Sequence, residues 1–329
     1  MRHVFLMLLA LAVACRTPPP RFEPVPKPPE MPLAPLPEPV SPVAAPQPAT
    51  PTAVLPEPPV VEPLFVALAA HDSPTVASLL APEVTVTLAN GDTCAGAHAC
   101  ADAIAGALAD TKLQRLRQLH VGPGVEIVQG LAEVAQRRVP FAAVFELRAG
   151  RIAAVRVYGT TAPWRFVLDA PKIPLPPATS EPIDVVTAVP TFDVARLAAA
   201  FDPALLARDA TAAGLVAENL AYRDTTAGAE TLTAVANQAA IRAFQQAFAV
   251  QDNQLIGQYA AGDWLVLERD VTVRQRTPVV PVPLNEEVLR VRSLEFLLVQ
   301  QGKIAEVWGY SDPVALLPAV EQLPIPPLH

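Results

Sequence analysis

Apolar positions along the chain change period several times, and each change marks an element. Over residues 64–80, Val66, Leu68, Ala69, Val76, Leu79 and Leu80 keep a loose helical spacing broken by His71-Asp72-Ser73-Pro74, which predicts two short helices. Residues 84–88 (Val-Thr-Val-Thr-Leu) alternate as a strand, and Asn90-Gly91-Asp92 reads as a turn. Residues 100–108 are helical, with Ile104 and Leu108 on one face. Strands are then expected at 125–128, 131–138, 141–147 and 152–158.

The same order starts again downstream. Residues 194–216 are predicted helical, with Leu197, Phe201, Leu205 and Leu206 apolar and Pro203 starting a fresh helix. A short strand at 220–224 (Leu-Ala-Tyr-Arg-Asp) follows, then an amphipathic helix at 238–248 with Ile241, Phe244 and Phe248 on one face. Strands are expected at 264–273, 288–299 and 304–310. The strongest internal match joins Gly150-Arg-Ile-Ala-Ala-Val-Arg-Val-Tyr158 to Gly302-Lys-Ile-Ala-Glu-Val-Trp-Gly-Tyr310, 152 residues on. Each reads as a β-hairpin arm entered through a Gly turn where positive φ is tolerated.

At 329 residues the chain is long enough for about two domains, but proline redraws the boundaries. Of 39 prolines, 19 lie between Pro18 and Pro63, a composition that forms neither ladder nor helix and reads as a solvated, polyproline-like spacer. If extended at about 3.1 Å per residue, it would reach roughly 140 Å. The expected layout is a signal peptide at 1–14, a linker at 15–63, a first domain at 64–162, a second proline-dotted linker at 163–190, a second domain at 191–320 and a tail at 321–329.

Arg2 and His3 precede an apolar run over residues 4–14 that suits an export signal and is too short to span a bilayer. Its end, Leu11-Ala12-Val13-Ala14-Cys15, resembles a bacterial lipobox, which implies acylation of Cys15 and a membrane anchor; an ordinary signal peptide is the alternative. No Asp follows Cys15, so the expected location is the outer membrane, with the globular part in the periplasm or at the cell surface. With Cys15 lipidated, Cys94 and Cys100 remain as an even pair, and a local disulfide is expected across their turn. Metal binding with His98 is the alternative, but it lacks a fourth ligand, so no metal and no cofactor is expected.

A net charge of −8 and a pI near 5.2 argue against a nucleic-acid surface, and aromatic content of 5% gives few stacking platforms. No nucleophile elbow, phosphate-binding glycine loop or dinucleotide fingerprint occurs.

Helices followed by an antiparallel meander, together with Leu220-Ala-Tyr-Arg-Asp224, Asn237-Gln-Ala-Ala-Ile-Arg-Ala-Phe244 and Gly302-Lys-Ile-Ala-Glu-Val-Trp-Gly-Tyr-Ser-Asp312, resemble the NTF2-like superfamily, in particular its SnoaL-like branch. The resemblance implies an α+β fold of two tandem cones, each of helices packed on a curved antiparallel sheet, with a pocket between them. It fixes no activity, because such cones serve as isomerases, cyclases, dehydratases and binding modules.

Against ketosteroid isomerase of the same superfamily, Asp224 matches the general base and Glu295 falls near the acid that donates to the oxyanion. The Tyr that completes that site has no counterpart in residues 194–213. Asp224 as a turn cap and Glu295 as a solvated strand residue is the competing reading. Strand alternation puts Ile304, Glu306, Trp308 and Tyr310 on one face, so Glu306, Trp308 and Tyr310 with Tyr222 are the expected pocket lining. The expected role is a cell-envelope lipoprotein that binds a small apolar ligand or an envelope protein; an isomerase or dehydratase acting in the second cone is the alternative.

Overall fold

The computed structural model describes residues 60–89, 91–108, 111–122, 124–134, 137–159, 183–201, 214–224, 248–276 and 288–311. The first part runs α1 (Val61–Ala69), α2 (Ser73–Leu79), β1 (Leu80–Thr87), β2 (Thr93–Ala95), α3 (Ala97–Ala107), β3 (Lys112–His120), β4 (Val125–Val134), β5 (Arg137–Arg148) and β6 (Arg151–Gly159). Then come β7 (Asp184–Val186), α4 (Val194–Ala200), β8 (Val216–Asp224), β9 (Phe248–Ala261), β10 (Trp264–Gln275), β11 (Val288–Gln300) and β12 (Lys303–Ser311). Asp72 caps α2 by accepting from the Thr75 amide, so the predicted break between two short helices has a physical cause.

The strands form two sheets, ordered β2-β1-β6-β5-β4-β3-β7 and β8-β12-β11-β10-β9. The two repeated glycines do the same job in each. Ala149 and Gly150 (φ 51° and 72°) close β5 onto β6 by a two-residue turn, and Gln301 and Gly302 (φ 52° and 72°) close β11 onto β12. Positive φ at both central residues gives the turn whose twist matches the flanking strands. Pairing continues in step. Leu147↔Ile152, then a bulge, then Glu146↔Ala154 and Ala142↔Tyr158 in the first sheet correspond to Val299↔Ile304, a bulge, Leu298↔Glu306 and Leu294↔Tyr310 in the second. The parallel neighbours also match, with Leu80↔Ile152 and Thr85↔Ala154 beside Val216↔Ile304 and Ala221↔Glu306.

Apolar residues collect in three places. One cluster lies between α1, α2, α3 and the first sheet, and a second between α4 and the second sheet. The third lies between the sheets themselves, where Leu119, Ile127, Val144 and Tyr158 meet Trp264, Val266, Phe296 and Tyr310. Each sheet therefore has one helix-facing side and one side facing the other sheet.

Several expectations change. Residues 112–120 form β3, which the apolar spacing of Leu113, Leu116 and Leu119 disguises as helical; a bulge between Arg115 and Arg117 inserts one residue and breaks strand alternation. Phe248 begins β9 instead of ending a helix, and β9 carries a matching bulge between Leu255 and Gly257. Residues 125–134 make one strand, not two. Val216 belongs to β8, and the helix that starts at Val194 ends at Ala200. Within the expected linker at 163–190, Asp184–Val186 pairs parallel with β3 as an added edge strand. The expected helix at residues 238–247, the tether and Cys15 lie outside the described residues.

Cys94 and Cys100 are disulfide-bonded, with Cα atoms 5.3 Å apart, joining β2 to α3. The bridge consumes both thiols that the alternative metal site would need. A loop this short contributes about 2 kcal/mol in the chain-entropy account.

Candidate functional site

The matched registers allow the helix-facing sides of the two sheets to be compared position by position. In the first sheet Gly130 lies opposite Phe141, and the Phe141 ring fills the space where a side chain at 130 would sit, 2.5 Å from the ideal Cβ. Phe65 of α1 stacks on Phe141 at 6.4 Å and meets Phe145 edge-on at 6.4 Å. Arg115 lies 5.3 Å over the Phe65 ring, donates to Gln118 at 2.8 Å and pairs with Glu62 at 3.4 Å. Aromatic rings plug this part of the first sheet.

In the second sheet the same places are charged. Arg269 stands opposite Ser293, as Gly130 stands opposite Phe141, and Glu295 takes the place of Ala143. Arg269 and Glu295 are both buried, with Arg269 Nε 3.4 Å from Glu295 Oε2. Arg269 Nη2 also donates to the Phe201 carbonyl at the end of α4. Leu265, Leu267 and Leu297 surround the pair on the same side of the sheet. Glu295 is thus 6% exposed and ion-paired, which removes the solvated-residue reading.

The other sequence candidates are placed as follows. A bulge between Ile304 and Glu306 reverses the alternation, so Ile304 joins the helix-facing core while Trp308 and Tyr310 turn toward the first sheet. Glu306 keeps their parity and is half-buried. Tyr310 is buried, edge-on to Phe296 at 5.7 Å, and its hydroxyl accepts from Gln129 Nε2 at 3.2 Å. The backbones of Tyr222 and Asp224 lie opposite Val307 and Gly309; their side chains are outside the described residues.

A group that sequence reasoning missed sits on the helix-facing side of the first sheet. Gln118 Nε2 donates to Glu126 Oε2 at 2.6 Å, and His120 Nδ1 lies 3.7 Å from Glu126 Oε1. Burial raises the Glu126 carboxyl above its usual range, opposed by His120, Gln118 and Arg115. The His120 side chain is 30% exposed, so solvent reaches the imidazole while the carboxyl beside it is sealed. Only the pairing of β3 with β4 brings these residues together, so its signal was the unrecognised β3.

Between the sheets lies a second buried polar network. Glu268, 1% exposed, accepts from Arg156 Nε at 2.5 Å, from Tyr259 OH at 2.9 Å and from the Tyr158 hydroxyl. Arg156 also pairs with Glu146 at 2.5 Å, and Arg117 lies 3.9 Å over the Trp264 ring. Burial, then the Glu268 charge, raises the Tyr158 and Tyr259 phenols; burial likewise raises Tyr310. The folded state therefore holds these protons more tightly than the unfolded chain does. Their contribution is fully present below the ordinary phenol value of about 10 and is lost as pH rises above it. Native protein titrated at 295 nm should show three of its four tyrosines silent near pH 10 until it unfolds; full phenolate absorbance with the fold intact would contradict this.

A cleft of about 420 Å³ opens where α4 meets two turns, lined by Phe192, Asp193, Arg196, Asp263, Gln301 and Gly302. None of its charged side chains is buried. Among the described residues, no group of three His, Cys, Asp or Glu is placed to hold a metal ion.

Comparisons with known proteins give one family match and several similar solved structures. No curated protein matches the chain. Similar solved structures include an NTF2-like protein of unknown function from Cytophaga hutchinsonii, at 14% identity over 32% of this chain and 89% of that one, TM-score 0.28. A protein with a ketosteroid isomerase-like fold from Catenulispora acidiphila, solved with trimethylamine, matches at 16% identity over 32% and 89%, TM-score 0.30. An NTF2-like protein of unknown function from Burkholderia pseudomallei matches at 21% identity over 31% and 89%, TM-score 0.28. Residues 196–320, from α4 through the Gly302 hairpin and beyond, match the family of SnoaL-like polyketide cyclases.

Proposed function

We propose that the chain is a lipid-anchored envelope protein built from two NTF2-like copies packed sheet to sheet, the second of which binds a small apolar ligand with one polar end. The two-copy reading is supported by hairpins, bulges and parallel neighbours that repeat in step. The observation that carries the ligand reading is the Arg269–Glu295 pair, set in an apolar helix-facing surface where the first copy has only Gly130, Ala143 and the Phe141 ring. A buried ion pair rarely adds net stability over apolar side chains of the same volume, so its retention points to a polar group it must meet. The first copy, plugged by Phe141 and Phe65, serves as the structural partner.

Full-length chain titrated with 1-anilinonaphthalene-8-sulfonate, an apolar anion, should saturate at one probe per chain. Absence of saturable binding would end the ligand reading. The anchor is tested separately: Cys15→Ser should abolish palmitate labelling and globomycin-sensitive processing, and persistence of both in the variant would refute it.

A second reading is favoured by one observation, the partly exposed His120 beside the buried Glu126. An imidazole and a carboxyl with a raised pKa form an acid–base pair of the kind that moves a proton next to a carbonyl. On this reading isomerase or dehydratase chemistry would sit in the first copy instead of at Asp224. A substrate screen should then find turnover that His120→Asn abolishes without unfolding the protein; turnover indifferent to that change would reject it.

A further inference from the structure

We infer that the face between the sheets is keyed to one partner, the other copy within the same chain, and that a buried charge excludes a second chain from it. The inference uses the two-copy reading for its equivalences but is independent of any ligand. In the matched registers Glu268 occupies the place of Gln129, Arg156 that of Trp308 and Tyr158 that of Tyr310. One cross-copy contact recurs: the Tyr310 hydroxyl meets Gln129, and the Tyr158 hydroxyl meets Glu268.

Among the described residues, three contacts around that shared one are one-sided. Arg156 of the first copy reaches Glu268 of the second, Arg117 lies over Trp264, and Arg292 lies 5.5 Å over the Tyr158 ring while donating to the Leu88 carbonyl at 3.4 Å. The positions equivalent to Arg117, Trp264 and Arg292 are Gly257, Val125 and Pro140, which cannot repeat these contacts.

Consider two chains joined through two second copies. Each Glu268 would then face Trp308 and Tyr310, and two carboxylates would be buried without a cation. Two first copies would set each Arg156 against Gln129 and each Arg117 against Val125, without the Glu268 carboxylate or the Trp264 ring. Only the unlike pairing neutralises Glu268. The face is apolar enough to attract another copy of itself, and the charge selects against that outcome.

The test uses the full chain. Glu268→Gln gives the second copy the residue the first already has, which keeps the Tyr158 hydroxyl satisfied and removes the excluded charge. Light scattering over a hundredfold concentration range should find wild type at one chain mass throughout, and Glu268→Gln rising toward two. The charge-swapped Arg156→Glu/Glu268→Arg variant should return to one chain, and it decides the matter if Glu268→Gln does not fold. Wild-type dimers, a Glu268→Gln variant that stays at one chain mass, or a swapped variant that fails to recover the one-chain state would each overturn the inference.

Discussion

Glu268→Ala should lower the unfolding free energy by about 3 kcal/mol, with a matching fall in the denaturant midpoint. The carboxylate is 1% exposed and accepts from Arg156, Tyr158 and Tyr259, so its removal takes the main acceptor from one guanidinium and two hydroxyls in the contact between sheets. Arg156 keeps its partial partner Glu146, which sets the effect at the lower end for a broken buried pair. The sign of the paired experiment differs. Arg156→Leu/Glu268→Leu removes both buried charges, and should lie closer to wild type than Glu268→Ala does, because the one charge left without its partner, Glu146, is 46% exposed to solvent. Equal losses in both variants would mean that hydrogen bonding from the tyrosines, not charge, dominates.

Arg269→Ala should cost about 3–5 kcal/mol, since it leaves the buried Glu295 without its cation and frees the Phe201 carbonyl at the end of α4. Urea midpoints check this. Arg269→Met keeps most of the apolar stem without the charge, and a loss there far below that of Arg269→Ala would assign the cost to lost packing of the stem instead.

These two effects lie in parts of the molecule that the sequence exposed unequally. The hairpins at Gly150 and Gly302 were legible because a two-residue turn between β-branched arms is a local signal, and the repeat confirms its spacing. The helices α1 and α2 were legible through their break at Asp72-Ser73-Pro74. By contrast β3 and β9 were not, because each carries a bulge that shifts its apolar residues out of alternation, and β9 is a polar edge strand. Bulges also explain why Ile304 parts company with Trp308 and Tyr310.

Site residues follow the same division. Glu295 was named from sequence, but its partner Arg269 stands on a neighbouring strand, and nothing local joins them. His120 and Glu126 lie only six positions apart across a turn, yet their pairing is invisible unless residues 112–120 are recognised as a strand. The Arg156–Glu268 contact links residues 112 apart and depends on two sheets meeting, which no periodicity records.

The most direct test of the ligand site transplants the first sheet's side chains into the second. The variant Arg269→Gly/Ser293→Phe/Glu295→Ala reproduces the Gly130, Phe141 and Ala143 arrangement, with the introduced ring covering the glycine. The readout is 1-anilinonaphthalene-8-sulfonate fluorescence on full-length protein whose fold is verified by near-ultraviolet circular dichroism. Wild type should bind one probe per chain saturably, and the folded variant should bind none; equal binding by both would contradict a ligand site at Arg269 and Glu295.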